Sequence, residues 1–354
     1  MNNLKLITIL ILFTLKFSCV ENKLPEKETS QPELLITSKT DTLKFTSGIR
    51  AIYQDSKGNY WLGSHNEGLS FYDGKSFDYF TTNEGLADNQ IRSIQEDKNG
   101  KIWIGTAKGV SVYDKGRLTN YLTNTNEPKF EWNKTHGDLW FYAGEQDGIN
   151  RFNGQLMNYL IFPKPKNKNS GDSYGVTDIS KDTKGKVWIA TYAALFSYDN
   201  KVVNIFDAEK LKLKSNELLH IRSVLADSKG RIWIGNNGVG VLLMQGNSVI
   251  NFSEKNKLIH PTSTRRGDRS QPGTLEHVFA IEEDAKGNIW FGDRDTGAWK
   301  YDGKTVRNYA IGKTSQPMIW SIYKDNQNNL LFGTADGNIF KFNGKTFEKQ
   351  FKKH

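Results

Sequence analysis

A nine-residue motif returns seven times along the chain, and this repetition constrains the fold more than any other feature. Five copies are close: DSKGNYWLG from Asp55, DKNGKIWIG from Asp97, DTKGKVWIA from Asp182, DSKGRIWIG from Asp227 and DAKGNIWFG from Asp284. Two are degenerate: KTHGDLWFY from Lys134 and DNQNNLLFG from Asp325, where Leu331 replaces the tryptophan and Asn328 the glycine. The tryptophans Trp61, Trp103, Trp140, Trp188, Trp233 and Trp290 are spaced by 42, 37, 48, 45 and 57 residues. Such a period marks a string of small supersecondary units, each unable to bury its own apolar surface.

Each unit has the same internal order. An alternating apolar stretch such as IRSIQE from Ile91 leads into an Asp-x-x-Gly turn, where the Asp side chain caps turn amides and Gly supplies a positive φ. The tryptophan strand follows. A glycine turn at Gly68, Gly109, Gly148, Gly240, Gly297 or Gly337 then leads to a third strand. That strand ends in a hairpin signal, Asp73-Gly74, Asn153-Gly154, Asp302-Gly303 or Asn343-Gly344 in the clearest copies. A fourth strand such as SFDYFTT from Ser76 completes the unit. With 32 Gly against 8 Pro, and 9 Trp, 14 Tyr and 20 Phe, the chain has the turns and ring residues that many short strands need. The expected fold is all-β: a seven-bladed β-propeller of four-stranded antiparallel blades over residues 41–354, in which each sheet covers its faces with its neighbours. The repeated tryptophans are expected to pack between blades. Ring closure stays open, because TLKF from Thr42 and TFEKQF from Thr346 both read as an outer strand.

The chain begins differently. Lys5 precedes an apolar run from Leu6 to Leu15 that is too short to span a bilayer, so residues 1–18 read as a secretory signal. Ser18-Cys19 closes it as a bacterial lipoprotein signal does, and Cys19 is the expected lipidation site, followed by a polar tether over residues 19–40. Cys19 is the only cysteine, so no intramolecular disulfide and no cysteine zinc site can form. Removal of residues 1–18 takes away Lys5 and Lys16, so the formal net charge falls from +9 to +7. The expected location is the cell envelope, as an outer membrane lipoprotein facing the periplasm or the surface.

The run GLADNQIRSIQEDKNGKIWIGTAKGVSVYD, Gly85 to Asp114, resembles the two-component regulator propeller repeat, and the likeness extends over roughly Ile49 to Phe351. The resemblance implies an extracytoplasmic ligand-sensing propeller; in that family such propellers sit outside the cell on hybrid histidine kinases. One propeller, without a kinase or DNA-binding region, is expected here. The repeats also resemble the streptogramin lyase type of propeller, which implies an alternative reading as a lyase on a sugar or lactone. A structural scaffold in a surface complex is a third reading.

Propeller ligands bind at the mouth of the central channel, so candidate residues are those where each innermost strand begins. Seven residues before the turn Asp the positions hold Gly48, Gln90, Glu127, Gly175, His220, His277 and Met318. His220 and His277, with Glu127 or Gln90, are either polar rim residues or a metal-binding or acid–base group. Five residues before the turn stand Arg50, Arg92, Lys129, Thr177, Arg222, Phe279 and Trp320. Four cations and two rings there either form a collar for an anionic or sugar-like ligand or lie along neighbouring blades with their heads in solvent. Two long polar connections, Pro163 to Gly175 and Ser253 to Thr274, lie on the same rim, and the second is a candidate lid or partner site. Phosphate-cradling loops, nucleophile elbows and His-Glu-x-x-His are absent from the sequence, so no catalytic set, metal or cofactor is assigned. The basic residues are spread through all repeats, which argues against nucleic acid. The expected partners are a small molecule or glycan, or a membrane protein, bound by a monomer.

Overall fold

The repeats become blades through one local device. The turn Asp uses both carboxylate oxygens: in the fifth blade Asp227 Oδ1 accepts the Lys229 and Arg231 amides at 3.0 and 2.8 Å, and Oδ2 accepts the Trp233 indole N–H at 2.8 Å. The same indole bond joins Trp61 to Asp55, Trp103 to Asp97 and Trp290 to Asp284. The six-residue spacing of Asp and Trp thus serves hydrogen bonding as well as packing in four of the five close copies; in blade four Asp182 caps the turn, but the Trp188 indole N–H is buried without a partner. Gly230 takes φ 75° in this turn, and in the degenerate last copy Asn328 takes φ 64°, a conformation asparagine tolerates better than most residues.

A computed structural model describes residues 39–122, 137–144, 146–163, 173–199, 202–265, 268–312 and 318–353. It forms seven antiparallel sheets in ring order, each meandering from the channel outwards. The innermost strands are Ile49–Gln54, Ile91–Glu96, Val176–Lys181, Ile221–Ala226, Val278–Glu283 and Ile319–Lys324 in blades one, two, four, five, six and seven. Blade three contributes Leu139–Tyr142, Gly148–Phe152 and Met157–Ile161 among the described residues. The seven-bladed all-β propeller expected from the repeats is the observed fold. Residues 1–38, with the signal and Cys19, lie outside the described residues, and no helix of the described part is long and apolar enough to cross a membrane.

Seven apolar clusters lie one at each blade boundary. Trp61 packs on Tyr113 of blade two, Trp103 on Phe152 of blade three, Trp140 on Tyr198 of blade four, Trp233 on Tyr301 of blade six and Trp290 on Phe342 of blade seven. Between blades seven and one, Leu331 leaves less ring to pack, and Phe351, Leu43 and Phe45 fill the cluster with Ile52 and Phe77. The N-terminal segment is a strap rather than an exchanged strand: Thr40 pairs with Phe77 on the outer strand of blade one, and Leu43 with Lys353 beyond blade seven. Closure therefore joins the two ends of the propeller at one boundary. Turn amides also find partners across blades, as where the inner-strand Glu96 accepts the Ser56 amide and the inner-strand Glu283 the Ser228 amide, both at 2.7 Å.

Candidate ligand site at the channel mouth

The six described innermost strands share one irregularity. Pairing with the second strand skips a residue, and the skipped residues are Arg50, Arg92, Thr177, Arg222, Phe279 and Trp320. A β-bulge leaves one residue unpaired and re-aims its side chain. The residue before each is a buried aliphatic, Ile49, Ile91, Val176, Ile221, Val278 or Ile319, which anchors the strand while its neighbour turns to the axis. All six line one cavity of about 60 Å³, together with Tyr142. The counted residues of six blades thus meet at one cavity; Lys129 and Glu127 lie outside the described residues, and blade three contributes Tyr142.

Tyr142 was missed by position counting, although the sequence carried a signal. Two residues after the tryptophan the other blades have Gly63, Gly105, Ala190, Gly235, Gly292 and, after Leu331, Gly333. The next inner strand crosses there: a Cβ on Gly63 would lie 2.4 Å from Ile91, and one on Gly292 2.5 Å from Ile319. Blade three alone puts a large ring at this place. Its hydroxyl donates to the Thr177 carbonyl at 2.8 Å, and burial pushes its pKa above the usual tyrosine value.

Charge at the collar meets no carboxylate among the described residues: none pairs with Arg50, Arg92 or Arg222, and the ion pairs lie elsewhere. Instead the guanidinium of Arg50 lies 4.7 Å from the Trp320 ring centre, and that of Arg222 lies 4.3 Å from Phe279. Burial first, then Arg92 and Arg222, lower the Arg50 pKa to about 10; burial also lowers that of Arg222. The Arg50 Nη1 and the Thr177 Oγ1 are buried without a hydrogen-bond partner. An unpaired buried polar atom costs about 1–3 kcal/mol, which an acceptor in the cavity would recover at Arg50. Gly48 opens the blade-one rim, since a Cβ there would lie 2.8 Å from the Trp320 ring.

The rim residues two positions earlier serve the backbone. The carbonyls of Gly48, Gln90, His220, His277 and Met318 accept the amides of His65, Ala107, Asn237, Arg294 and Ala335, at 2.8–3.0 Å. The His220 ring stands edge-on to Tyr192, and His277, completely buried, has Nδ1 2.8 Å from the Asn237 Oδ1. Burial, then Arg222, holds the His220 pKa down to about 4; burial, then Arg294, does the same for His277. Both rings are neutral near pH 7. Gln90 does not join them: its amide nitrogen lies 3.3 Å from the His65 Nδ1, and His65 packs on Trp320. Among the described residues no three His, Cys, Asp or Glu side chains converge on a point that could hold a metal ion.

The loop after blade five is pinned beside the mouth. Glu276 accepts the His260 amide at 2.6 Å and the Ser263 hydroxyl at 3.0 Å; Arg265 reaches Glu217, and Arg294 the Asp268 carbonyl. None of its described residues lines the cavity. Deeper along the inner strands lie two desolvated carboxyls. Asp178 accepts the Ile179 and Val224 amides, and burial pushes its pKa up to about 7. Glu282 accepts the Glu283 amide and is also pushed up to about 7, mainly by burial.

The family described as two component regulator propeller matches three stretches of the chain, residues 44–66, 85–108 and 218–238, and each spans part of one structural repeat. Blades one, two and five carry the two-component regulator propeller repeat. These repeats place the turn Asp, the indole and the bulged strand in the same order in every well-preserved blade. No curated protein matches the chain. Among solved structures it is similar to virginiamycin B lyase from Staphylococcus aureus, at 16% identity and TM-score 0.63, covering 86% of this chain and 98% of that one. A catalytically inactive histidine-to-alanine variant of that lyase with quinupristin matches at 16% identity and TM-score 0.62, over 86% and 98%. The extracellular domain of the hybrid two component system BT3049 from B. thetaiotaomicron matches at 21% identity and TM-score 0.61, over 84% of this chain but 39% of that one. At these identities the likeness establishes the fold.

Proposed function

We propose that the protein is an envelope-anchored binding and sensing module that captures an anionic ligand, a small acid or an acidic glycan, at the channel mouth. One observation carries the reading: three guanidiniums from three blades face a common cavity with no carboxylate among the described residues to neutralise them. Bidentate guanidinium contacts suit carboxylate, sulfate or phosphate, and the Trp320 and Phe279 rings suit the body of a ligand. The pinned loop with Arg265 and Asp268 adds a surface for a membrane protein partner. Envelope placement draws support from the apolar run before Cys19 and from the extracellular setting of the BT3049 domain. Titration of acidic oligosaccharides and small anions into wild type and an Arg50/Arg92/Arg222 triple alanine variant tests the reading. Heat in the wild type and its loss in the variant is expected; equal heats overturn it. For the anchor, Cys19→Ser is expected to move the protein to the soluble fraction, and unchanged membrane fractionation refutes it.

A second reading, a lyase acting through His220 and His277, draws on the likeness to virginiamycin B lyase; a pKa of about 4 leaves both imidazoles neutral but weakly basic, which counts against it. Turnover of a lactone or acidic sugar that disappears in the His220/His277 double alanine variant would favour it; binding without turnover favours the sensor.

A further inference from the structure

Granting the anion reading above, we propose that the collar recognises the end of an acidic molecule: it admits one terminal anionic group bearing a single substituent, and Tyr142 is the residue that sets this limit. The first argument is size. About 60 Å³ holds roughly four to six ordered waters, enough for a sulfate or carboxylate but too little for a sugar ring as well. The second is direction. Every blade contributes one side chain to the cavity, so a group at its centre is encircled and has no lateral exit for a substituent. Along the axis, one way leads out past His65 and Tyr192, which pack beside Trp320 and Arg222. The other way leads towards Asp178 and Glu282, whose carboxyls offer an anion no favourable contact in their ionised form. An anion within a chain, with substituents on both sides, would need both ways.

The third argument is the position of Tyr142. At the equivalent place the other blades carry glycine or alanine, so the ring is an addition to the repeat rather than part of its packing rule. Its hydroxyl is tied to the Thr177 carbonyl, which holds the ring against the cavity instead of leaving it free to swing away. Trimming it would widen the collar on the blade-three side while leaving Arg50, Arg92 and Arg222 in place.

Two probes of equal charge separate the possibilities: methyl sulfate, with one substituent, and dimethyl phosphate, with two. Calorimetric titration into wild type is expected to show methyl sulfate bound at least about tenfold more tightly, with the ratio falling below about threefold in Tyr142→Ala and to between the two in Tyr142→Phe, which keeps the ring but loses its tie to Thr177. A thermal melt checks that each variant is folded, and the wild-type ratio stands without them. If neither sulfate nor methyl sulfate binds, or the triple alanine variant binds them equally, the anion reading itself fails. If both probes bind wild type alike and both are lost in the triple variant, the anion reading stands and end recognition fails. If folded Tyr142→Ala keeps the full ratio, the limit does not reside in Tyr142.

Discussion

Replacing Arg50 by methionine should make the unliganded protein more stable while abolishing its response to anions. Burial and two neighbouring guanidiniums lower the Arg50 pKa from 12.5 to about 10, which at about 1.4 kcal/mol per pH unit is a native-state penalty of roughly 3 kcal/mol. The sign follows from proton counting. Between pH 10 and 12.5 the native state binds fewer protons than the unfolded chain, so stability rises with pH in that window, and below pH 10 the whole penalty is present. Against it stands the contact of the guanidinium with Trp320, worth about 1–2 kcal/mol where desolvated. The net gain for Arg50→Met at pH 7 is about 1–2 kcal/mol, or roughly 2–4 °C in melting temperature. Scanning calorimetry in a buffer free of oxyanions, repeated with sulfate, measures both halves of the prediction. At a hundred times its dissociation constant sulfate should stabilise wild type by about 2.7 kcal/mol and leave Arg50→Met unmoved. A variant that melts lower without sulfate and is raised by sulfate as much as wild type refutes the reasoning.

Three further outcomes follow from the same structure. Asp227→Ala removes both turn caps and strands the buried Trp233 indole N–H, so urea unfolding should report a loss of about 3–4 kcal/mol, and a loss under about 1 would show the Asp–indole bond to be incidental. Glu282→Gln removes a carboxyl whose native pKa, about 7, lies above its unfolded value of 4.5; wild type therefore loses stability as pH rises through that window, and the variant should be about 2–3 kcal/mol more stable at pH 8 and equal at pH 4. A variant less stable at pH 8 contradicts this. Leu43→Ala trims a strap side chain that is 1% exposed between blades seven and one, with an expected cost of about 2–5 kcal/mol by thermal unfolding, and a negligible cost would mean that the strap does not seal the ring.

Much of the site was legible because the repeat supplies a ruler. Counting back five residues from each turn Asp reaches Arg50, Arg92, Thr177, Arg222, Phe279 and Trp320, all of which line the cavity, because every blade places the turn at the same distance from its bulge. The bulge itself was not legible: alternation in IRSIQE gives no sign that Arg92 is unpaired. In the degenerate third copy the ruler lands on Lys129, outside the described residues, and Tyr142 is the blade-three residue that lines the cavity. Tyrosine where other copies have glycine or alanine was the available clue. The rim positions could be counted from the sequence but their partners could not: that His277 faces Asn237 while Gln90 faces His65 depends on which blade crosses which, and a linear sequence does not carry that information. TLKF was seen as a strand without a place, since its Leu43 pairs with Lys353, far along the chain, while Thr40 just before it pairs with Phe77 of blade one.

The most direct test is crystallographic. A crystal soaked in selenate and measured at the selenium absorption edge should show an anomalous peak on the channel axis, within hydrogen-bonding distance of the Arg50, Arg92 and Arg222 guanidiniums. A vacant collar at saturating selenate, with peaks only at lysines on the outer faces of the blades, would contradict anion capture at the channel mouth.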